Sequence, residues 1–123
     1  MSEEISAEDV LEILDGEEHV LESYVLVRHL KLYLDFKCEF FNPRIEIKIW
    51  RSWVQSRYQY HFTVSHHAHT PSQAGPYFPS RTCYESEASA IRQAISTTTS
   101  FIDGAISEGH KPSEKWLVPS EDF

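Results

Sequence analysis

Arg28–Glu39 reads RHLKLYLDFKCE. Leu30, Leu32, Leu34, Phe36 and Cys38 fall on one parity, and His29, Lys31, Tyr33, Asp35, Lys37 and Glu39 on the other. Alternation with a period of two over this length predicts a β-strand with one dry and one wet face. Tyr24 and Leu26 share the dry parity, so the strand is expected to begin before Arg28. Asn42-Pro43 ends it.

The pattern continues downstream. Ile45, Ile47 and Ile49 alternate with Arg44, Glu46, Lys48 and Trp50, giving a second strand over residues 44–51. Tyr58, Tyr60, Phe62 and Val64 alternate with Arg57, Gln59, His61, Thr63, Ser65 and His67, giving a third over 57–67. Charge suggests a register for the first hairpin. Placing Glu39 opposite Arg44, Lys37 opposite Glu46 and Asp35 opposite Lys48 makes three attractive pairs, each contributing about 0.2–1 kcal/mol, with Tyr33 opposite Trp50. That register leaves residues 40–43 as a four-residue loop.

Helices flank the strands. Ser6 suits an N-cap, Glu8 and Asp9 a first turn and Gly16 a stop, which predicts a short helix over residues 7–15. Ala88, Ile91, Ile95, Thr98, Ile102, Ala105 and Ile106 form a stripe at helical spacing, so a long helix over 86–107, stopped near Gly109, is expected to cover the sheet. Residues 68–83, with Pro71, Gly75-Pro76 and Pro79, read as loop. The tail, residues 110–123, reads as extended and docked through Trp116, Leu117 and Val118. The expected fold is α+β: a three-stranded antiparallel meander covered on one face by the long C-terminal helix, with a short N-terminal helix, in one domain spanning residues 1–123. The α-β-β-β-α order is similar to that of the double-stranded-RNA-binding domain. The resemblance is one of topology, carries no local motif of that family, and implies nothing about function by itself.

Composition narrows the function classes. The 123 residues carry a net charge of −8, but residues 1–22 hold nine of the nineteen acids and no Lys or Arg. Residues 28–57 hold seven basic and three acidic side chains, so the middle of the chain is locally basic. No apolar run reaches the roughly 18 residues of a membrane span. The acidic start MSEEISAEDV has no features of a secretory signal, so the cytoplasm is the expected compartment and no membrane partner is expected. Cys38 and Cys83 do not make a disulfide framework and are read as reduced thiols. No nucleophile elbow, CxxC, HExxH or glycine-rich phosphate loop occurs, so an enzyme is not the expected class.

Three constellations remain. HFTVSHHAHT, residues 61–70, holds four of the seven histidines. On a strand His67 and His69 share a face at roughly 6.5–7 Å between Cα atoms, the spacing of a two-histidine contribution to zinc or another transition metal. Such a site needs a third ligand, such as His29, Cys83 or a carboxylate; otherwise no cofactor is expected. His61 lies roughly 20 Å before His67 along an extended strand and cannot join them unless the chain bends. Secondly, Lys31, Lys37, Arg44, Lys48 and Arg57 with Tyr33 and Trp50 offer a basic, aromatic sheet face of the kind that stacks single-stranded bases. The expected ion pairs neutralise part of it, and Glu85 and Glu87 at the start of the long helix repel phosphate, so nucleic acid is the weaker expectation. Thirdly, one helix covers one sheet face only. Tyr33, Trp50, Trp53, Phe40, Phe41, Tyr77 and Phe78 are then expected on the surface as an interaction site, with a second copy of the chain or another protein as partner. A homodimeric, non-enzymatic interaction or regulatory domain is the principal expectation.

Overall fold

Three isoleucines set the centre of the molecule. Ile45, Ile47 and Ile49 are buried to the last few square ångströms on one face of strand β2 (Arg44–Val54). In the computed structural model, which describes residues 5–123, Ala90 and Ala94 of helix α2 (Glu87–Ser107) complete this core with Leu34, Phe62 and Val64. The alanines let the helix axis approach the isoleucines closely, and Ile91 and Ile95 pack around them. The buried line of α2 therefore runs through Ala90, Ala94, Thr98, Ile102 and Ala105, and Ala88 is exposed.

The fold is α+β, as the patterning predicts. Helix α1 (Ala7–Asp15) starts on a capping box in which Asp9 N–H donates to Ser6 Oγ at 3.1 Å and Ser6 N–H to Asp9 Oδ2 at 3.4 Å. Strands β1 (Ser23–Tyr33), β2 and β3 (Arg57–Val64) form an antiparallel meander. A short strand β5 (Cys83–Tyr84) adds to the far side of β3, making the sheet four-stranded in the order β1-β2-β3-β5 rather than three-stranded. Both helices lie on one face: α2 over the isoleucines, and α1 over the far end of the same face, where Glu8 pairs with Arg51 at 3.3 Å and Asp15 accepts from Trp53 Nε1 at 2.6 Å. Among the described residues no helix is long and apolar enough to cross a membrane.

Three boundaries differ from the sequence reading. Strand β1 ends at Tyr33, and the observed register sets Tyr33 opposite Arg44, Lys31 opposite Glu46 and His29 opposite Lys48. The expected Glu39–Arg44, Lys37–Glu46, Asp35–Lys48 and Tyr33–Trp50 alignments do not form. Residues 34–43 instead make a long loop with positive φ at Lys37 and Phe40, closed by Leu34 N–H to Pro43 O at 2.9 Å. Burial explains the choice. Phe41 and Phe36 leave the sheet to pack with Trp116, Ile102 and Ala105 in a second core cluster. Burying a phenylalanine is worth roughly 1.5–3 kcal/mol, more than an exposed cross-strand ion pair. Asp35 takes its charge partner locally, Lys37 Nζ at 2.7 Å.

The second difference is a bulge. The register shifts between Leu26 and Arg28, so the extra residue Val27 inverts the parity upstream of it. Val25 and Val27 turn inward, and Tyr24 and Leu26 face out at 43% and 42% exposure, against the expectation that they share the dry face. Thirdly, β3 stops at Val64. The chain bends at Ser65, and β4 (His66–Ala68) pairs instead with β6 (Leu117–Pro119), which follows the 3-10 turn Glu114–Trp116. The tail thus docks as expected, but as a strand.

Candidate functional site

Directly paired residues of an antiparallel sheet point to the same side. On the face that carries no helix, Leu26, Trp50, His61 and Cys83 form one row across all four strands. The rows beside it are Tyr24–Ser52–Gln59 and His29–Lys48–Thr63, followed by Lys31–Glu46 and Tyr33–Arg44. Trp50 is held by its indole N–H donating to Thr63 Oγ1 at 3.1 Å. Tyr24 stands edge-on to His61, with ring centroids 5.3 Å apart, and donates its hydroxyl to Glu22 Oε1 at 3.2 Å. Burial pushes the Tyr24 phenol above its ordinary pKa, and the Glu22 charge adds to this. Burial also pushes His61 below the ordinary imidazole value, with Glu22 opposing in part, and His61 Nε2 is buried with no hydrogen-bond partner among the described residues.

The tail crosses onto this face. The Phe123 ring lies 4.2 Å from Lys48 Nζ, which donates to Phe123 O at 3.2 Å, and its edge meets His29. His29 in turn pairs with Glu46 at 3.0 Å. Arg44 and Lys48 therefore face Tyr33 and His29 across the ladder rather than the acids that the sequence reading assigned to them.

The seven aromatic residues expected at the surface do not form one patch. Tyr33, Phe40 and Phe78 are exposed at 70%, 94% and 66%. Trp50 is half-buried on the helix-free face. Trp53 is on the opposite face, packed on Tyr58 at 4.4 Å beside α1. Tyr77 lies against Phe101 of α2 at 4.5 Å. Phe41 is buried in the second core, so it is not a surface residue. Other residues supply the exposed apolar margin. Of the ten large apolar side chains exposed among the described residues, Ile13, Val20, Leu21, Tyr24, Leu26 and Tyr33 belong to α1, the turn after it and β1. The run of residues 13–33 contains them in plain sight, but only the bulge at Val27 turns Tyr24 and Leu26 outward.

The four histidines of the histidine-rich stretch sit in four different environments. His61 is on the helix-free face; His66 contacts Ser65 Oγ through Nδ1 at 2.7 Å, and burial pushes its pKa down. His67 Nδ1 is 3.1 Å from Tyr77 O, and the ring packs on Phe78 at 4.4 Å. A carbonyl only accepts, so Nδ1 carries the proton and Nε2 of the neutral ring is an acceptor. His69 is half-buried and is fixed through its backbone N–H to Trp116 O at 2.8 Å. Among the described residues, no group of three or more His, Cys, Asp and Glu side chains is placed to share a metal ion.

A cleft of about 510 Å³ opens beside His67, between the end of β3, the loop carrying Phe78 and Pro79, and residues 118–122 of the tail. The sequence gives no sign of it, because segments distant in the chain build its walls. Comparison of the chain with protein-family models, curated proteins and solved structures returns no match in any of the three.

Proposed function

We propose that the chain is a non-enzymatic cytoplasmic interaction domain that pairs with a second copy of itself along β1. The observation that carries this reading is the exposed apolar margin. Among the described residues β1 has a partner strand on one side only, and Tyr24, Leu26 and Tyr33 stand exposed along it, with Leu21 just before it. A free strand edge bearing apolar side chains is a template for a further strand. Charge favours a second copy as that strand. Antiparallel pairing of β1 with itself, about a two-fold axis between Val27 and Arg28, sets Glu22 opposite Tyr33 and diagonal to Lys31 of the other copy. Such an isologous contact closes on itself as a dimer and leaves no free β1 edge. The two free cysteines suit a reducing compartment.

Light scattering on the intact chain tests the proposal. A dimer is expected at about 100 µM, a concentration that populates complexes of micromolar affinity. Changing Tyr24→Lys together with Leu26→Lys is expected to give a monomer with an unchanged far-ultraviolet spectrum. A monomeric parent chain, or a double variant that stays dimeric, rejects pairing through β1.

A second reading rests on the observed register. Lys31, Arg44 and Lys48 share the helix-free face with Tyr33 and Trp50, and Arg44 and Lys48 have no acid across the ladder. That is the composition of a surface that stacks single-stranded nucleic acid. Anisotropy of a labelled single-stranded RNA is then expected to show binding that weakens steeply with salt. Binding that is absent at low salt removes this reading and leaves the dimer untouched.

A further inference from the structure

The cleft beside His67 is a gap in the sheet edge. On the outer side of β3, Phe62 N–H donates to Thr82 O at 2.9 Å, which is the last contact with the β5 arm. Ser120 N–H donates to Ser65 O at 2.8 Å, which is the first contact of the tail beyond β6. Among the described residues nothing pairs with the edge between them. Ser65 N–H goes inward to Glu46 O, so the alternation of the ladder turns the N–H and C=O of Val64 outward into the gap. Three residue steps separate Phe62 from Ser65, roughly 10 Å. Both ends are closed by chain, so an added strand has no room to run. The occupant must be compact, and about 510 Å³ is within the range of small-molecule sites.

The lining states the chemistry. Phe62, Val64 and Val118 make an apolar floor, and Phe78 and Pro79 an apolar wall. The charged residues that line it, Glu121 and Asp122, are both acidic. The third ionisable group in the lining, His67, has Nδ1 committed to Tyr77 O, which leaves an acceptor nitrogen when the ring is neutral. Apart from the hydroxyls of Thr63, Thr82 and Ser120, the free polar side-chain groups of the lining accept hydrogen bonds. Such a site repels anions and favours a donor-rich, positively charged head on an apolar body. We propose that this cleft binds a small organic cation, an amine carried on an aromatic or aliphatic body. The body packs between Val64 and Phe78, and the ammonium donates to Glu121 and Asp122. The acidic wall is positioned by the tail, whose Phe123 is clamped on Lys48, the cross-strand partner of Thr63 on the helix-free face.

The proposal is independent of dimerisation, since β1 and the cleft lie at opposite margins of the sheet. Two probes of the same shape and opposite charge test it: phenethylamine and hydrocinnamate, each titrated into the isotope-labelled full chain and followed by amide proton–nitrogen spectra. Saturable shifts at Val64, His67, Val118 and Ser120 are expected with the amine below about 10 mM, a range suited to a fragment-sized ligand. No shifts are expected there with the carboxylate. Glu121→Gln together with Asp122→Asn alters two exposed side chains and is expected to weaken amine binding about tenfold, as loss of hydrogen bonds to charged groups implies. Equal responses to both probes, no response to the amine, or undiminished binding by the double variant each overturn it.

Discussion

His61 illustrates how position decides the behaviour of a side chain. It sits in the Leu26–Trp50–His61–Cys83 row with Tyr24 edge-on to its ring, and burial holds its pKa below the ordinary imidazole value. An unfolded histidine titrates near pH 6.5. Between that value and the lower folded pKa, the unfolded chain binds more protons than the folded one, so stability rises with pH across this window. The contribution of His61 is complete above about pH 6.5 and is lost as pH falls through its folded pKa. His66 acts in the same direction, because burial and Arg44 push it down too. The urea midpoint is therefore expected to hold steady above about pH 6.5 and to fall below it. His61→Gln, which cannot protonate, should make the fall shallower without abolishing it. A variant whose midpoint tracks the parent chain at every pH would show that His61 does not titrate as its burial requires.

At the scale of elements, the β2–β3 hairpin turns on two residues. Gln55 and Ser56 both have positive φ, at 52° and 61°, joining Val54 to Arg57. Two-residue turns of this hand match the twist of the strands and favour Asn-Gly, while left-handed backbone costs other residues roughly 1 kcal/mol each. Gln55→Asn with Ser56→Gly is expected to stabilise the chain by about 1–2 kcal/mol, read as a higher urea midpoint at unchanged slope. A lower midpoint would mean that Gln55 and Ser56 contribute contacts that outweigh their backbone cost. The hairpin also shows what the sequence does and does not reveal. The alternation of Ile45, Ile47 and Ile49, the Ser6 cap and the helix α2 are written locally, and the structure keeps them, although the buried line of α2 runs through Ala90 and Ala94 and leaves Ala88 exposed. The end of β1 is not. Leu34 and Phe36 keep the period of two after the chain has left the sheet, because the core that takes Phe36 and Phe41 contains Trp116, far along the sequence. The bulge at Val27 leaves no mark on the pattern beyond a parity change between two runs that each look regular. The cleft was hidden for the same reason, since Phe78 and Glu121 meet only when β4 pairs with β6.

For the whole molecule, the two sheet margins have opposite characters. The β3 side is covered by β5 and the tail, with the cleft as a gap between them; the β1 side carries bare backbone and exposed Tyr24, Leu26 and Tyr33. Both helices and the tail already have their places, so nothing among the described residues is left over to cover β1. If a second copy covers it, folding and association are linked, and apparent stability depends on protein concentration. The urea midpoint of the parent chain is expected to rise steadily between about 1 and 100 µM, the span in which a dimer of micromolar affinity forms. The midpoint of the Tyr24→Lys, Leu26→Lys variant is expected to be flat over the same span. Those two changes replace exposed side chains and leave the core alone, so at the lowest concentration the two proteins should unfold within about 0.5 kcal/mol of each other. A parent midpoint independent of concentration would place the chain among monomers. A variant that is already much less stable when dilute would show that Tyr24 and Leu26 serve the fold of one copy rather than the contact between two.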